Sequence, residues 1–108
     1  MTPDLRLNDE TSLPALGFGL YKVAPEQTAE VVTAAVDIGY RLLDGAEFYH
    51  NEAQAGEALR RLDRSALTVT SKFWGEESQS RDAVLASFDR SEKALGTGID
   101  IYMIHWPR

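Results

Sequence analysis

Four residues in this sequence are spaced as a proton-transfer site would need them: Asp44, Tyr49, Lys72 and His105. A carboxylate, a phenol, an ammonium and an imidazole held together can hand a proton to an oxygen that is gaining negative charge. A carbonyl oxygen is in that position when hydride adds to its carbon. A phenol, with a pKa near ~10, is a weak acid at neutral pH without help. A neighbouring Lys72 ammonium would stabilise the phenolate, Asp44 would keep Lys72 charged and oriented, and His105 could donate to the substrate oxygen and set its angle. Each residue also has a plainer use. Asp44 and Lys72 could be a structural ion pair at a rim, Tyr49 a packing residue with a wet hydroxyl, and His105 a satisfied polar group beside Trp106. It is the four together, at comparable places in the chain, that favour chemistry.

Those places are strand ends. "RLNDETSLPAL" alternates briefly and is broken by Asn8, Asp9, Glu10 and Pro14, which predicts a small hairpin serving as a lid or plug. "GFGLYKV" (17–23) predicts a short strand, and Pro25 fits the first turn of a following helix. Ala29, Val31, Val32, Ala35, Val36 and Ile38 recur at helical spacing up to Gly39. A second strand is expected in "YRLLDGA". A second helix opens at Asn51 and Glu52 with Ala55, Ala58, Leu59 and Leu62 as its apolar stripe. "ALTVTSKFW" is rich in β-branched residues and predicts a third strand. A helix capped by Ser80 follows, with Val84, Leu85, Phe88 and Leu95 on one side and its end near Gly96. "IDIYMIHWP" is mostly apolar, as a strand buried on both faces should be. Strands alternating with helices imply parallel pairing through right-handed crossovers. Asp44, Lys72 and His105 then close the second, third and fourth strands, and Tyr49 lies in the loop after the second. All would face one mouth, at the carboxyl ends where ligands of α/β folds collect. An open doubly wound sheet and part of a closed barrel both fit this order. The chain stops at Arg108, just after its fourth strand, and an uncovered edge there suggests an incomplete fold.

Bulk composition narrows the function. One domain is the expectation for 108 residues. Acidic residues outnumber basic ones 17 to 11, for a net charge of −6, which disfavours nucleic acid and anionic membranes as partners. Zero cysteines exclude disulfides and thiolate chemistry. The 2 histidines lack an HxxxH or HExxH spacing, so no metal site is expected, and His50 is taken as a solvent-facing loop residue. No run of ~18 apolar residues and no signal-peptide core occurs, and the expected location is the cytoplasm. "GFGLYK" begins G-x-G but has Lys22 in the sixth position, so the dinucleotide fingerprint fails, and no P-loop or G-x-S-x-G elbow is present.

"GYRLLDGAEFYHNEAQAG" (39–56) resembles the first signature of the aldo-keto reductases, through Gly39, Tyr40, Arg41, Asp44, Gly45, Ala46, Glu52 and Gly56. "LPALGFGLYKV" is similar to that family's hairpin and first strand, "TSKFW" to its lysine strand, and "EKALGTGIDIYMIHWP" to its fourth strand with the histidine. Its "HWP" ending and hairpin start are most similar to bacterial members of the 2,5-diketo-gluconate reductase kind. The resemblance implies an α/β fold: the N-terminal part of a (β/α)8 TIM barrel, a hairpin plus about four parallel strands and three helices forming one partial domain. It also implies NADPH-dependent reduction of aldehydes or ketones. Tyr49 would be the proton donor, Asp44 and Lys72 its tuning pair, and His105 the residue that orients the substrate. Tyr21, Trp74, His105 and Trp106 would line the substrate mouth, and Gly19, Leu20, Tyr21 and Asp44 would adjoin the cofactor. Leu20 and Gly45 stand where many members carry threonine, and Leu20 removes a hydroxyl often found near the nicotinamide. A complete barrel needs ~250 residues and takes its phosphate site from later loops, so the chain alone is expected to turn over weakly. A different class of function is also open: a non-catalytic half barrel that dimerises along its exposed first and fourth strand edges, as the buried-type sequence "IYMI" suggests. An open flavodoxin-like sheet gives no reason for the signature at 39–56.

Overall fold

The computed structural model of the protein describes residues 3–107. A hairpin of β1 (Asp4–Arg6) and β2 (Ser12–Pro14) comes first, antiparallel, with Leu5 opposite Leu13. Asp9 closes its turn by accepting from the Thr11 hydroxyl at 2.6 Å and the Thr11 N–H at 3.0 Å.

The main sheet has four parallel strands in chain order: β3 (Phe18–Gly19), β4 (Leu42–Asp44), β5 (Thr68–Phe73) and β6 (Ile101–Ile104). Between them run α1 (Pro25–Ile38), α2 (Glu52–Leu59) and α3 (Arg81–Leu95). A doubly wound sheet reverses its strand order at a switch point. Here the order never reverses, so the strands form one wall of the barrel type.

Local chemistry sets the helix limits. Pro25 begins α1, and Gly39, at φ 128, ends it with its N–H shared between the carbonyls of Ala35 and Val36. The Ser80 hydroxyl caps α3 by accepting from Ala83 N–H at 3.1 Å. Asn51 occupies the N-cap position of α2, but its side chain makes no capping bond there.

The core lies between the sheet and the helices, where Leu20, Val32, Leu43, Leu59, Val69 and Leu95 are buried together. Helices α2 and α3 approach closely at Gly56, where an added Cβ would come within 2.5 Å of the Leu95 carbonyl oxygen. Three expectations need correction. The strand predicted over 17–23 contracts to Phe18–Gly19, because the chain turns at Tyr21 and Lys22. Of the stripe expected on α3, Leu95 is buried and Val84 and Phe88 are half-buried, but Leu85 is exposed and the remaining fully buried positions are Ser87 and Ser91; Ile38 on α1 is exposed as well. Finally, β6 is not buried on both faces, since Met103 and Ile104 are exposed. Its outer edge has no partner strand among the described residues.

Candidate active site

The site grows out of strand register. Asp44 ends β4 and pairs with Thr70 of β5, and Lys72 lies two residues further along β5 on the same face. The Thr70 hydroxyl donates to Asp44 Oδ1 at 2.6 Å, and Lys72 Nζ donates to the same oxygen at 2.8 Å. Lys72 Nζ also donates to the Gly45 carbonyl at 2.8 Å and to the Tyr49 hydroxyl oxygen at 3.2 Å. Its three N–H groups therefore have three acceptors, which fixes its direction. Tyr49 closes a 3-10 turn (Glu47–Tyr49), and the left-handed φ of 57 at His50 ends that turn. His50 is exposed there.

His105 follows β6 and is tied to β5 by its backbone N–H, which donates to the Phe73 carbonyl at 3.0 Å. Its ring stands edge-on to Tyr49, with centroids 5.7 Å apart, and edge-on to Trp74 at 5.0 Å. All four sequence-predicted catalytic candidates thus meet at the carboxyl ends of the strands. Tyr21 packs on Tyr49 with centroids 5.2 Å apart, and Trp106 stacks with His105 at 6.3 Å. Both are largely exposed. A cleft of about 320 Å³ beside Trp74 is lined by Glu47, Glu76, Glu77 and Arg90, and none of the four candidates borders it. The candidate cluster lies elsewhere, at the strand ends.

Sequence reasoning missed several contributors. Phe48 stacks on Trp74 at 3.9 Å, and its signal was an aromatic side chain next to Tyr49 in the mouth loop. Thr70 was legible as the residue two before Lys72, on the same strand face. Glu47 gave no local signal, because its partners are about forty residues away. Its Oε2 accepts from Arg90 Nε at 2.7 Å and its Oε1 from the Ser87 hydroxyl at 2.9 Å. Burial alone would push the Glu47 carboxyl up. The hydrogen bonds from Arg90 and Ser87, with the charges of Arg90 and His50, outweigh it and hold the group below the usual carboxylate range. Tyr102, bonded to Ser87 through its hydroxyl at 2.7 Å, is pushed up by burial and by the nearby Glu47 and Glu52.

A flat cofactor ring needs open space next to the proton donor. Gly19 pairs with Asp44 in the sheet, and a Cβ built on it meets nothing within 4 Å. The backbone of β3 therefore faces room beside the Asp44, Lys72 and Tyr49 cluster, which fits the nicotinamide end of such a cofactor. Leu20, expected beside that ring, instead has its side chain in the core at 3% exposure.

A sequential parallel wall with polar groups converging at its carboxyl ends defines a protein of the (β/α)-barrel class. The chain belongs to the aldo/keto reductase family, whose model matches residues 15–108. An aldo-keto reductase of Mycobacterium sp. (strain KMS) is 44% identical over 108 residues, which is 97% of this chain and 39% of that protein. Morphine 6-dehydrogenase of Pseudomonas putida is 38% identical over 109 residues, 98% of this chain and 36% of that protein. Among solved structures, an aldo/keto reductase from Brucella melitensis superposes with a TM-score of 0.91 at 35% identity, over 99% of this chain and 43% of that one. An aldo-keto reductase of Bombyx mori in complex with NADP gives a TM-score of 0.89 at 30% identity, over 98% of this chain and 38% of that one. The chain spans about two-fifths of the length of these relatives.

Proposed function

We propose that these residues form the proton-delivering part of an NADPH-dependent carbonyl reductase that converts aldehydes or ketones to alcohols. The observation that carries this reading is Lys72 Nζ held between Asp44 Oδ1 at 2.8 Å and the Tyr49 hydroxyl at 3.2 Å. Support for the cofactor comes from the Bombyx mori structure with NADP. When bound, the nicotinamide supplies the hydride. Gly19 and Asp44 would lie along its ring, with Tyr21 beside it and Leu20 contributing backbone only. Tyr49 gives its hydroxyl proton to the carbonyl oxygen as charge develops there. The Lys72 ammonium stabilises the charge left on the phenol oxygen, and Asp44, itself fixed by Thr70, keeps Lys72 aimed. His105 presents its imidazole to the substrate oxygen, and Trp74 and Trp106, with Phe48, give the mouth an apolar lining for a small-molecule carbonyl.

A chimera tests this reading: the 108 residues replace the matching segment of the Mycobacterium relative, and NADPH oxidation by an aldehyde is followed. Tyr49→Phe should lower kcat by about 10²–10⁴-fold and leave NADPH binding intact. Equal turnover by the two chimeras would overturn the proton-donor role.

A further inference from the structure

We propose that Asn51 is a positioning residue of the mouth: its side-chain amide holds the turn after β3 in a disfavoured backbone conformation and so sets Tyr21 against Tyr49. The inference rests on the reading of Tyr21 and Tyr49 as mouth residues.

Asn51 is fully buried. Its Nδ2 donates to the Leu20 carbonyl at 3.0 Å and to the Val23 carbonyl at 3.1 Å, both about thirty residues upstream. Those two carbonyls bracket a four-residue turn, closed by Val23 N–H on the Leu20 carbonyl at 3.2 Å, with Tyr21 and Lys22 at its tip. At its start the Leu20 N–H donates to the Asp44 carbonyl at 3.0 Å, so the turn springs directly from the strand end that carries the candidate site. Lys22 takes φ 62 at the third position of the turn, where glycine or asparagine is the usual residue. A lysine holds that conformation only if something else fixes it, and the Asn51 amide is placed to do so from inside. Asn51 Oδ1 has no hydrogen-bond partner among the described residues, and the side chain makes no cap for α2. Its two donors, not its acceptor, account for an asparagine at this buried position. The outcome is the contact that matters at the mouth: the Tyr21 ring 5.2 Å from the Tyr49 ring.

The test follows from the strain. In the 108-residue chain, inter-ring proton cross-relaxation between Tyr21 and Tyr49 is measured by NMR in the unaltered protein, in Asn51→Ala and in Asn51→Ala with Lys22→Gly. Glycine adopts a positive φ freely, so it should replace the lost tie. The expected result is loss of most of the cross-peak in the single variant and recovery of at least about half of it in the double variant, where the turn needs no clamp. A merely structural role for a buried asparagine would not be repaired by a change at exposed Lys22. An undiminished cross-peak in Asn51→Ala overturns the proposal, as does failure of the double variant to regain it. Should Asn51→Ala not fold, hydrogen exchange of the Asn51 side-chain amide in the unaltered chain decides: strong protection supports the tie, and exchange at the rate of an exposed amide overturns it. None of these readouts needs turnover, so a failed Tyr49 experiment would count against the reductase reading and not against this one.

Discussion

At the scale of single residues, Lys72 is the side chain that ties the candidate site together. Three acceptors surround its Nζ, and two of them, Asp44 Oδ1 and the Gly45 carbonyl, gain nothing from a hydrocarbon in its place. Lys72→Met should therefore lower kcat in the chimera by about 10²-fold or more. It should also lower urea stability by about 1–2 kcal/mol, because Asp44 keeps only the Thr70 hydroxyl as a side-chain partner while remaining partly open to water. Unchanged activity would remove Lys72 from the proton-delivering unit. Glu47 makes a prediction of a different kind. Its folded carboxyl titrates below its unfolded value, so it contributes stability above about pH 4.3 that is lost as pH falls through the lower folded value. Arg90 is well exposed, which limits the contribution to below about 1 kcal/mol. Glu47→Gln should flatten the fall in stability between about pH 5 and 3, measured by urea unfolding across that window; identical slopes would show that the ion pair contributes nothing. The four site candidates were legible because residue type and strand-end placement coincide in the sequence. Glu47 was not, because its partners Ser87 and Arg90 lie on another helix, and no spacing rule connects them.

At the scale of elements, α3 shows where hydrophobic periodicity misleads. Counting apolar residues predicted a stripe through Val84, Leu85, Phe88 and Leu95; Leu95 is buried and Val84 and Phe88 are half-buried, but Leu85 is exposed and the other fully buried positions are Ser87 and Ser91, one turn apart. The reason is across the interface. Glu52, at the start of α2, is buried with Oε1 accepting from the Ser91 hydroxyl at 2.8 Å and Oε2 from the Ser71 hydroxyl of β5 at 2.6 Å. A helix, a strand and a second helix are thus joined through one carboxyl group at the positive end of α2. At the far end of α3, Gly56 of α2 lies against the Ala94 and Leu95 carbonyls and leaves no room for a methyl group. A polar residue at an inward helical position is invisible to any rule that scores burial by hydrophobicity, although the signature that places Glu52 was visible. Hydrophobic reasoning expects Ser91→Ala to be neutral or stabilising. The structure predicts the opposite, a loss of about 1–3 kcal/mol, since one buried carboxyl oxygen is left without its donor. Equilibrium urea unfolding decides between them: a midpoint equal to or above that of the unaltered chain would contradict the role given to the serine.

At the scale of the whole molecule, the extents of 40 × 37 × 21 Å describe a slab with one layer of sheet and one of helices. The alternation of strands and helices and their parallel pairing were legible because they depend on local periodicity; strand order was not, since a doubly wound sheet and a barrel wall share that alternation and only the resemblance pointed to a barrel. The exposure of β6 was not legible either, because apolar character indicates that a strand is to be covered and not what covers it. In this chain Met103, Ile104 and Trp106 are exposed, and neither β3 nor β6 has a partner on its outer edge among the described residues. Unpaired parallel edges with apolar side chains favour self-association. At the mouth, the ammonium of Lys72 is already committed to Asp44, the Gly45 carbonyl and Tyr49, while Lys22 lies by Tyr21. Cofactor phosphates would thus find few cations there. Together these features predict that the isolated chain binds NADPH weakly, with a Kd above roughly 100 μM (about −5.5 kcal/mol), and associates in a concentration-dependent way without a defined stoichiometry. Supplying the remaining segment of the Mycobacterium relative in trans should tighten NADPH binding by about 10-fold or more, equivalent to ~1.4 kcal/mol, and suppress the association, because the same edges would then be paired. Fluorescence titration and sedimentation velocity report the two effects separately. A stable, discrete dimer that ignores the added segment would favour an interaction module built on the reductase scaffold. Micromolar NADPH affinity in the chain alone would show that these strands hold the cofactor without the rest of a barrel.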